Sequence, residues 1–132
     1  MCIRDRIKKM IKEEIVVDVL ARMLFELLKC IKKKADTLED ILADMREKNI
    51  SFRDEVIERT LEIAAGREIP IPTEGYVDES TLIDLFAKML KEIIDFYPQK
   101  RRNEVMKFWL RYLRMKGFSR VFINKVEQKI KS

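Results

Sequence analysis

Hydrophobic residues recur at helical spacing along most of this chain. The clearest example begins near Ser80 or Thr81, and its apolar residues share one helical face: Leu82, Leu85, Phe86, Met89, Leu90, Ile93 and Phe96. Alternation with a period of two, which is typical of half-buried strands, is not found. The sequence therefore predicts an all-α fold of about six helices.

The first helix is predicted to run from about Ile7 to Lys34. Its segment Ile15–Ile31 is apolar except for a narrow stripe of charged residues, Asp18, Arg22, Glu26 and Lys29. We expect the first three of these to pair at i,i+4 along the helix. A helix that is apolar on most sides is buried on most sides, so this one is either the central helix of a bundle or an interface for self-association. Its charges exclude a membrane span.

Capping and turn residues divide the rest of the chain into helices. Thr37 and Ser51 are predicted to cap the second and third helices, and Asn49 and Gly66 are predicted to end them. Residues 66–79 contain two prolines, Pro70 and Pro72, and are predicted to form an extended connector rather than a strand. A fifth helix is predicted between Pro98 and Gly117, and Ser119 is expected to cap a sixth. On the fifth helix we expect five residues to face inward, namely Val105, Phe108, Trp109, Tyr112 and Leu113.

The two sides of the connector resemble each other at one corner. Lys48-Asn49-Ile50-Ser51 parallels Lys116-Gly117-Phe118-Ser119, and in each case a helix end is followed by a new cap. We therefore predict two three-helix halves, residues 7–65 and 80–132, joined by residues 66–79 within one compact domain. The first six residues, 1–6, resemble a translated sequencing adapter and are predicted not to be native.

Charge is sorted along the chain. Residues 1–35 carry 10 Lys and Arg against 5 Asp and Glu, residues 36–95 carry 7 against 16, and residues 96–132 carry 11 against 2. The formal net charge of +5 therefore hides a strongly basic C-terminal part. That part also holds most of the aromatic residues, namely Phe96, Tyr97, Phe108, Trp109, Tyr112, Phe118 and Phe122.

Composition argues against most catalytic chemistry. The chain has no histidine, which is the usual general acid–base and the commonest metal ligand, and its two cysteines, Cys2 and Cys30, do not make a metal site or a disulfide framework. It also has no glycine-rich phosphate loop. We therefore predict a non-enzymatic cytoplasmic protein without a metal or another cofactor.

The basic, aromatic C-terminal part favours contact with RNA or DNA. A helix, a tight turn and a basic second helix give the outline of a DNA-reading motif, but the second helix offers few base-reading side chains beyond Asn124 and Gln128. We therefore predict phosphate contacts rather than sequence readout, and stacking of Trp109 or Tyr112 on bases if either ring is exposed. The predicted phosphate ligands are Arg101, Arg102, Lys107, Arg111, Arg114, Lys116, Arg120 and Lys125.

Two other interpretations of the charge pattern remain open. In the first, the aromatic residues form a core and the Lys and Arg side chains only solvate the outer helix faces. In the second, the protein is an interaction or oligomerisation subunit without a nucleic-acid role. Its partner would be an acidic protein, the acidic middle of another copy, or a second copy bound through Ile15–Ile31.

Two short stretches resemble known families. Leu113–Val126, with the sequence LRMKGFSRVFINKV, is similar to the helical repeat of RecX-type recombination regulators, and the similarity lies mainly in its capping residues. The order of carboxylates at Glu13, Glu14 and Asp18 and in Leu38–Ile41 resembles the MazG-type nucleotide pyrophosphohydrolases, which imply a helical Mg²⁺ site. The spacing from Glu14 to Asp18 is one residue longer than in that family. A truncated enzyme of this type is the second alternative function.

Overall fold

Six helices and one very short sheet make up the described part of the chain. The computed structural model describes residues 10–30, 34–47, 51–68, 71 and 73–132. A 3-10 helix at Glu79–Leu82 leads directly into the fourth α-helix. The prediction of an all-α fold with about six helices is confirmed. In chain order the elements are β1 (Met10–Lys12), α1 (Glu13–Cys30), α2 (Lys34–Glu47), α3 (Arg53–Ala64), β2 (Tyr76–Asp78), α4 (Ile83–Phe96), α5 (Gln99–Lys116) and α6 (Arg120–Lys131).

Helix α1 is the central helix of the bundle. It packs against α3, α4 and α5, and residues such as Val16, Leu20 and Leu24 are almost fully buried. Fully burying an aliphatic side chain of this size stabilises a fold by about 1.5–3 kcal/mol. Of the two predictions for this segment, the structure therefore supports the buried central helix. Between Val16 and Leu27 most apolar side chains are buried within one copy of the chain, whereas Ile15, Phe25 and Leu28 are partly exposed.

A two-stranded antiparallel sheet precedes α1. Ile11 lies opposite Val77, and Lys12 lies opposite Tyr76. The predictions that helix one starts near Ile7 and that residues 66–79 contain no strand are therefore wrong. Each strand is only three residues long, which is too short for an alternating pattern to be recognised. The backbone amide of Glu13 also donates to the carbonyl of Gly75 at 3.1 Å, so the sheet fixes where α1 begins.

The last three helices pack around a cluster of phenylalanine rings. Phe86 on α4 makes edge-to-face contacts with Phe118 and Phe122, at ring-centroid distances of 5.2 and 5.3 Å. Phe118 and Phe122 stack on each other at 4.7 Å. These rings belong to the same continuous cluster of buried residues as the apolar side chains of α1. The predicted halves therefore share one core.

The corner between α5 and α6 matches its prediction. Gly117 adopts a left-handed conformation with φ 112°, and the amide of Phe118 donates to the carbonyl of Leu113 at 3.2 Å. Ser119 caps α6 by accepting from the amide of Phe122 at 3.1 Å. Ser119 also donates through its hydroxyl and its amide to the buried carboxylate of Glu79. This contact ties the start of α6 to the 3-10 helix before α4.

The predicted caps of the second and third helices are wrong. Helix α2 begins at Lys34, so Thr37 lies inside it. Helix α3 is preceded by Phe52 at its cap position, and no side chain caps it. Phe52 is buried, so packing rather than a capping hydrogen bond determines where α3 starts. The predicted end of α3 at Gly66 agrees with a positive φ of 76° there.

Several predictions lie outside the described residues. They concern the adapter-like residues 1–6, the corner residues Lys48, Asn49 and Ile50, and the two connector prolines Pro70 and Pro72. Within the described ranges, every helix is too short or too polar to cross a membrane.

Candidate nucleic-acid interface

Four of the predicted phosphate ligands lie exposed on α5. They are Arg101, Lys107, Arg111 and Arg114. Among the described residues, no carboxylate forms an ion pair with any of the four. Arg120 and Lys125 on α6 are likewise exposed and without an ion pair in the described part of the chain. Each of these cations is therefore open to an external anion.

Arg102 has a structural role instead. Its guanidinium donates to the carbonyls of Tyr97 at 2.9 Å and Asp95 at 3.1 Å, and to the side chain of Gln99 at 3.1 Å. The carbonyl groups at the end of α4 have no partners within their own helix, so Arg102 satisfies them. Arg102 therefore holds the α4–α5 corner, and its prediction as a phosphate ligand is not supported by these contacts.

Lys116 also turns towards the protein. Its Nζ lies 3.7 Å from the carboxylate of Asp18 on α1 and 5.5 Å from the centre of the Tyr112 ring. These contacts join the end of α5 to the central helix. Its charge is balanced by Asp18, so Lys116 is a weaker candidate for phosphate binding than Arg114.

The two aromatic residues that were candidates for stacking have little accessible surface. Trp109 is only 5% exposed and Tyr112 is half-buried, whereas Phe108, which was expected to face inward, is 60% exposed. The helical period already indicates that Phe108 is exposed. Met106, Leu110 and Leu113 define the buried side of α5. At 100° per residue, position 108 lies on roughly the opposite side of the helix.

A basic groove runs between α5 and α6. It is shallow, has a volume of about 290 Å³ and has an apolar floor formed by Leu110 and Ile123. Lys107, Arg111 and Arg114 on α5 and Glu127 on α6 line it as well. The three cations are spaced at i, i+4 and i+7, so they form one stripe along the helix. We call this feature the α5–α6 groove.

A larger cleft lies on the other side of α5, against α1. Its volume is about 540 Å³, and we call it the α1–α5 cleft. Its aromatic residues contact each other: the Trp109 ring lies edge-to-face with Tyr112 at 5.5 Å and with Phe108 at 5.8 Å. The lining residues are Arg22, Glu26, Tyr97, Arg101, Glu104, Val105, Phe108, Trp109 and Tyr112.

A network of ion pairs lies beside this cleft. Arg59, which is only 4% exposed, donates to Asp18 at 2.7 Å and to Glu68 at 3.2 Å, and Arg22 lies 3.5 Å from Glu68. The predicted pairing of Asp18, Arg22 and Glu26 with each other along α1 is therefore wrong. Asp18 pairs with α3 and α5, and Glu26 pairs with Lys29 at 3.1 Å.

The network also affects Tyr112. Burial and the nearby carboxylate of Asp18 raise the pKa of the Tyr112 phenol, because both disfavour the phenolate. Arg22 and Arg59 act in the opposite direction and do not cancel the effect. The phenol therefore stays neutral in the physiological range and can donate a hydrogen bond there.

The arrangement of carboxylates does not favour the Mg²⁺ enzyme. In the described ranges, no three Asp, Glu or Cys side chains are grouped so that they could hold a metal ion. Asp18, the central residue of the MazG-like pattern, is committed to Arg59 and Lys116. Burial and the charge of Glu55 raise the pKa of Glu13.

The sixth helix uses its apolar first turn for packing. Phe122 and Ile123 are buried and α6 packs against α4, while Val121 is exposed. The motif has the helix–turn–helix outline, but it presents few base-reading groups on α6. Lys129 and Lys131 on α6 pair with Asp84 and Glu127, so among the described residues α5 has more exposed cations without an ion pair than α6 has.

Comparisons of the chain with protein-family models, with curated proteins and with solved structures found no match. The resemblances to the RecX-type and MazG-type families therefore rest only on the short stretches that carry them.

Proposed function

We propose that the outer face of α5 binds single-stranded nucleic acid through its phosphate backbone. The α5 face consists of Arg101, Lys107, Phe108, Arg111 and Arg114. The observation that carries the proposal is that α5 presents four exposed cations together with an exposed aromatic ring, and none of the four has a carboxylate partner among the described residues.

The arrangement on α5 suits a flexible polyanion. Arg101 borders the α1–α5 cleft, whereas Lys107, Arg111 and Arg114 border the α5–α6 groove, so Phe108 lies between cations on both sides. A strand that follows the α5–α6 groove would place its phosphates against the arginines and a base on the Phe108 ring. Stacking of this kind contributes about 1–3 kcal/mol per base and tolerates any sequence.

A single strand fits this surface better than a duplex does. An exposed ring stacks only on bases that are themselves accessible, and duplex bases are already stacked on each other. An anionic membrane would also attract a basic face with exposed apolar side chains, and Phe108 and Met115 on α5 are both exposed. The α1–α5 cleft beside Phe108 offers a recess that a narrow chain can enter and a flat membrane surface cannot.

The test is a fluorescence-anisotropy titration with labelled single-stranded RNA and DNA at several salt concentrations. We expect the binding constant to fall steeply with salt, with a logarithmic slope of about 0.7 for each phosphate contact. The variant Lys107→Glu/Arg114→Glu should bind at least about tenfold more weakly and show a smaller slope.

A matched control separates this surface from net charge. Lys12→Glu/Lys88→Glu removes the same charge at exposed positions on β1 and α4, and we expect it to bind nearly as well as the unaltered protein. Equal losses in both variants would show that total charge drives binding and would refute the α5 face. Binding to phosphatidylserine vesicles in place of nucleic acid would also refute the proposal.

A further inference from the structure

The α1–α5 cleft contains side chains that phosphate binding does not require. Phosphate binding needs only cations, but this cleft combines four aromatic side chains with two arginines and two glutamates. Its volume of about 540 Å³ exceeds that of the α5–α6 groove and is within the range of small-ligand sites, which begins at about 300 Å³.

The aromatic walls indicate a flat ligand. Tyr97, Phe108 and Tyr112 border the cleft, and Trp109 forms part of its wall through contacts with two of them. The guanidinium of Arg101 lies 5.9 Å from the centre of the Tyr97 ring, so a cation also flanks this wall. Rings and guanidinium planes are the groups on which proteins stack unpaired nucleic-acid bases.

The charged residues narrow the choice of base. Glu26 projects into the cleft from α1 and is less exposed than Glu104, and one of its carboxylate oxygens is held by Lys29 at 3.1 Å. A carboxylate offers about four acceptor positions, so Glu26 retains capacity for a ligand. Arg22, one turn before Glu26 on α1, and Arg101 supply N–H donors to the same space. Arg22 also contacts Glu68, whereas Arg101 has no carboxylate partner among the described residues.

Guanine is the base whose edges suit this combination. Its N1–H and N2–H₂ groups are adjacent donors that one carboxylate accepts together, and its O6 and N7 are adjacent acceptors that one guanidinium contacts together. Adenine, cytosine and uracil each present an acceptor beside their donor, which a carboxylate would repel. We propose that the α1–α5 cleft holds a guanine base, with Glu26 accepting from N1–H and N2–H₂ and an arginine donating to O6 and N7.

If the guanine belongs to a strand that is bound on the α5 face, this inference rests on the proposed function. Phe108 borders the cleft and is exposed on the outer face, so a strand lying on α5 could turn one base inward beside it. The protein would then bind strands through phosphates along α5 and prefer strands with a guanine at one position.

The first measurement follows Trp109, which is the only tryptophan of the chain. Because Trp109 lines the cleft, a base that enters it should change the intrinsic fluorescence. We expect guanosine monophosphate to produce a saturable change, and the adenosine, cytidine and uridine monophosphates to produce a much weaker one. Inosine monophosphate, which lacks the 2-amino group, should bind more weakly than the guanosine nucleotide. No saturable change with guanosine monophosphate, or an equal response to all of the nucleotides, would refute the proposal.

The second measurement uses oligouridine strands of about ten nucleotides with one central G, A or C. We expect the strand with G to bind roughly tenfold more tightly than the others, which is the discrimination typical of one bidentate pair. The Glu26→Gln variant should lose this preference but keep the salt dependence. The control Glu92→Gln changes an exposed carboxylate on α4 by the same chemistry and should keep both.

The outcomes separate the two proposals. Salt-dependent binding without a preference for G, and without a change in Trp109 fluorescence, would refute the guanine site and leave the α5 face in place. A guanosine-specific response of Trp109 without binding of any strand would support the cleft and refute the α5 face. A preference for G that survives Glu26→Gln would refute the assignment to Glu26.

Discussion

Two groups of arginine and lysine residues in this protein have opposite surroundings. Around Arg59 the cations form ion pairs with carboxylates from other helices: Arg59 and Lys116 both contact Asp18. On the α5 face, Lys107, Arg111 and Arg114 have no such partner among the described residues. The residue types are the same, so their role is determined by what the neighbouring helices bring within reach.

The difference shows how charge is used in the fold. A buried cation is tolerated only where its desolvation is offset by nearby acceptors, and Arg59 has the carboxylates of Asp18 and Glu68 and the carbonyl of Arg67. An exposed cation has no such requirement. Removing charge should therefore affect stability in the first group and binding in the second.

The largest expected effect is on stability, in Arg59→Ala. This change leaves the partly buried carboxylate of Asp18 without its main partner, and we expect it to lower the free energy of unfolding by about 2–4 kcal/mol. Arg111→Ala should change it by less than about 0.5 kcal/mol, because Arg111 is exposed. Urea unfolding followed by circular dichroism measures both values. Equal losses would show that the two groups do not differ as described.

A smaller effect is expected from two cations close together at the end of α5. Lys116→Gln should lower the free energy of unfolding by up to about 1 kcal/mol, because its pair with Asp18 is partly exposed, and should change nucleic-acid affinity little. Arg114→Gln should leave stability unchanged and lower the logarithmic salt slope of binding by about 0.7. If both variants changed the same quantity, the distinction between paired and open cations would fail.

The smallest effect concerns the ionisation of Tyr112. Its pKa is raised above the ordinary value of about 10, so the folded state keeps this proton at a pH where the unfolded state loses it. Stability should therefore be unaffected by Tyr112 below pH 10 and should fall as the pH rises through its folded pKa. An absorbance titration of tyrosinate should show a late phase that disappears in Tyr112→Phe. A late phase that persists in this variant would assign the shift to another tyrosine.

Local patterns in the sequence were sufficient to predict much of the fold. The left-handed Gly117 and the cap at Ser119 depend on residues that are neighbours in the chain, and the apolar face of α4 depends on a spacing of three and four residues. The predicted burial of Ile15–Ile31 followed from the few polar residues within it. These features do not require knowledge of any partner that is distant in sequence.

The errors concern contacts between distant residues. The pairing of Ile11 with Val77 joins two strands too short to give a pattern, and it moves the start of α1 from Ile7 to Glu13. Asp18 pairs with Arg59 instead of Arg22 because α3 brings a buried guanidinium to it. Nothing in the local sequence identifies these partners.

The candidate site was predicted less accurately than the fold for the same reason. Arg101, Lys107, Arg111 and Arg114 are exposed as expected, but Arg102 and Lys116 turn towards groups from α4 and α1. The exposure of Phe108 was a different kind of error, since the helical phase of Met106, Leu110 and Leu113 already indicated it. The α1–α5 cleft could not be predicted, because it forms between helices that are far apart in sequence.

The central position of α1 has a consequence for synthesis of the protein. Helix α1 is made early, but its apolar surface is covered in part by α4, which ends at Phe96, and by α5 beyond it. While the ribosome adds the residues of α4 and α5, α1 can pack against α3 but not yet against these two helices, so part of its apolar surface stays exposed. Chaperones that bind exposed apolar segments should therefore hold the nascent chain at α1 and release it once α4 has emerged.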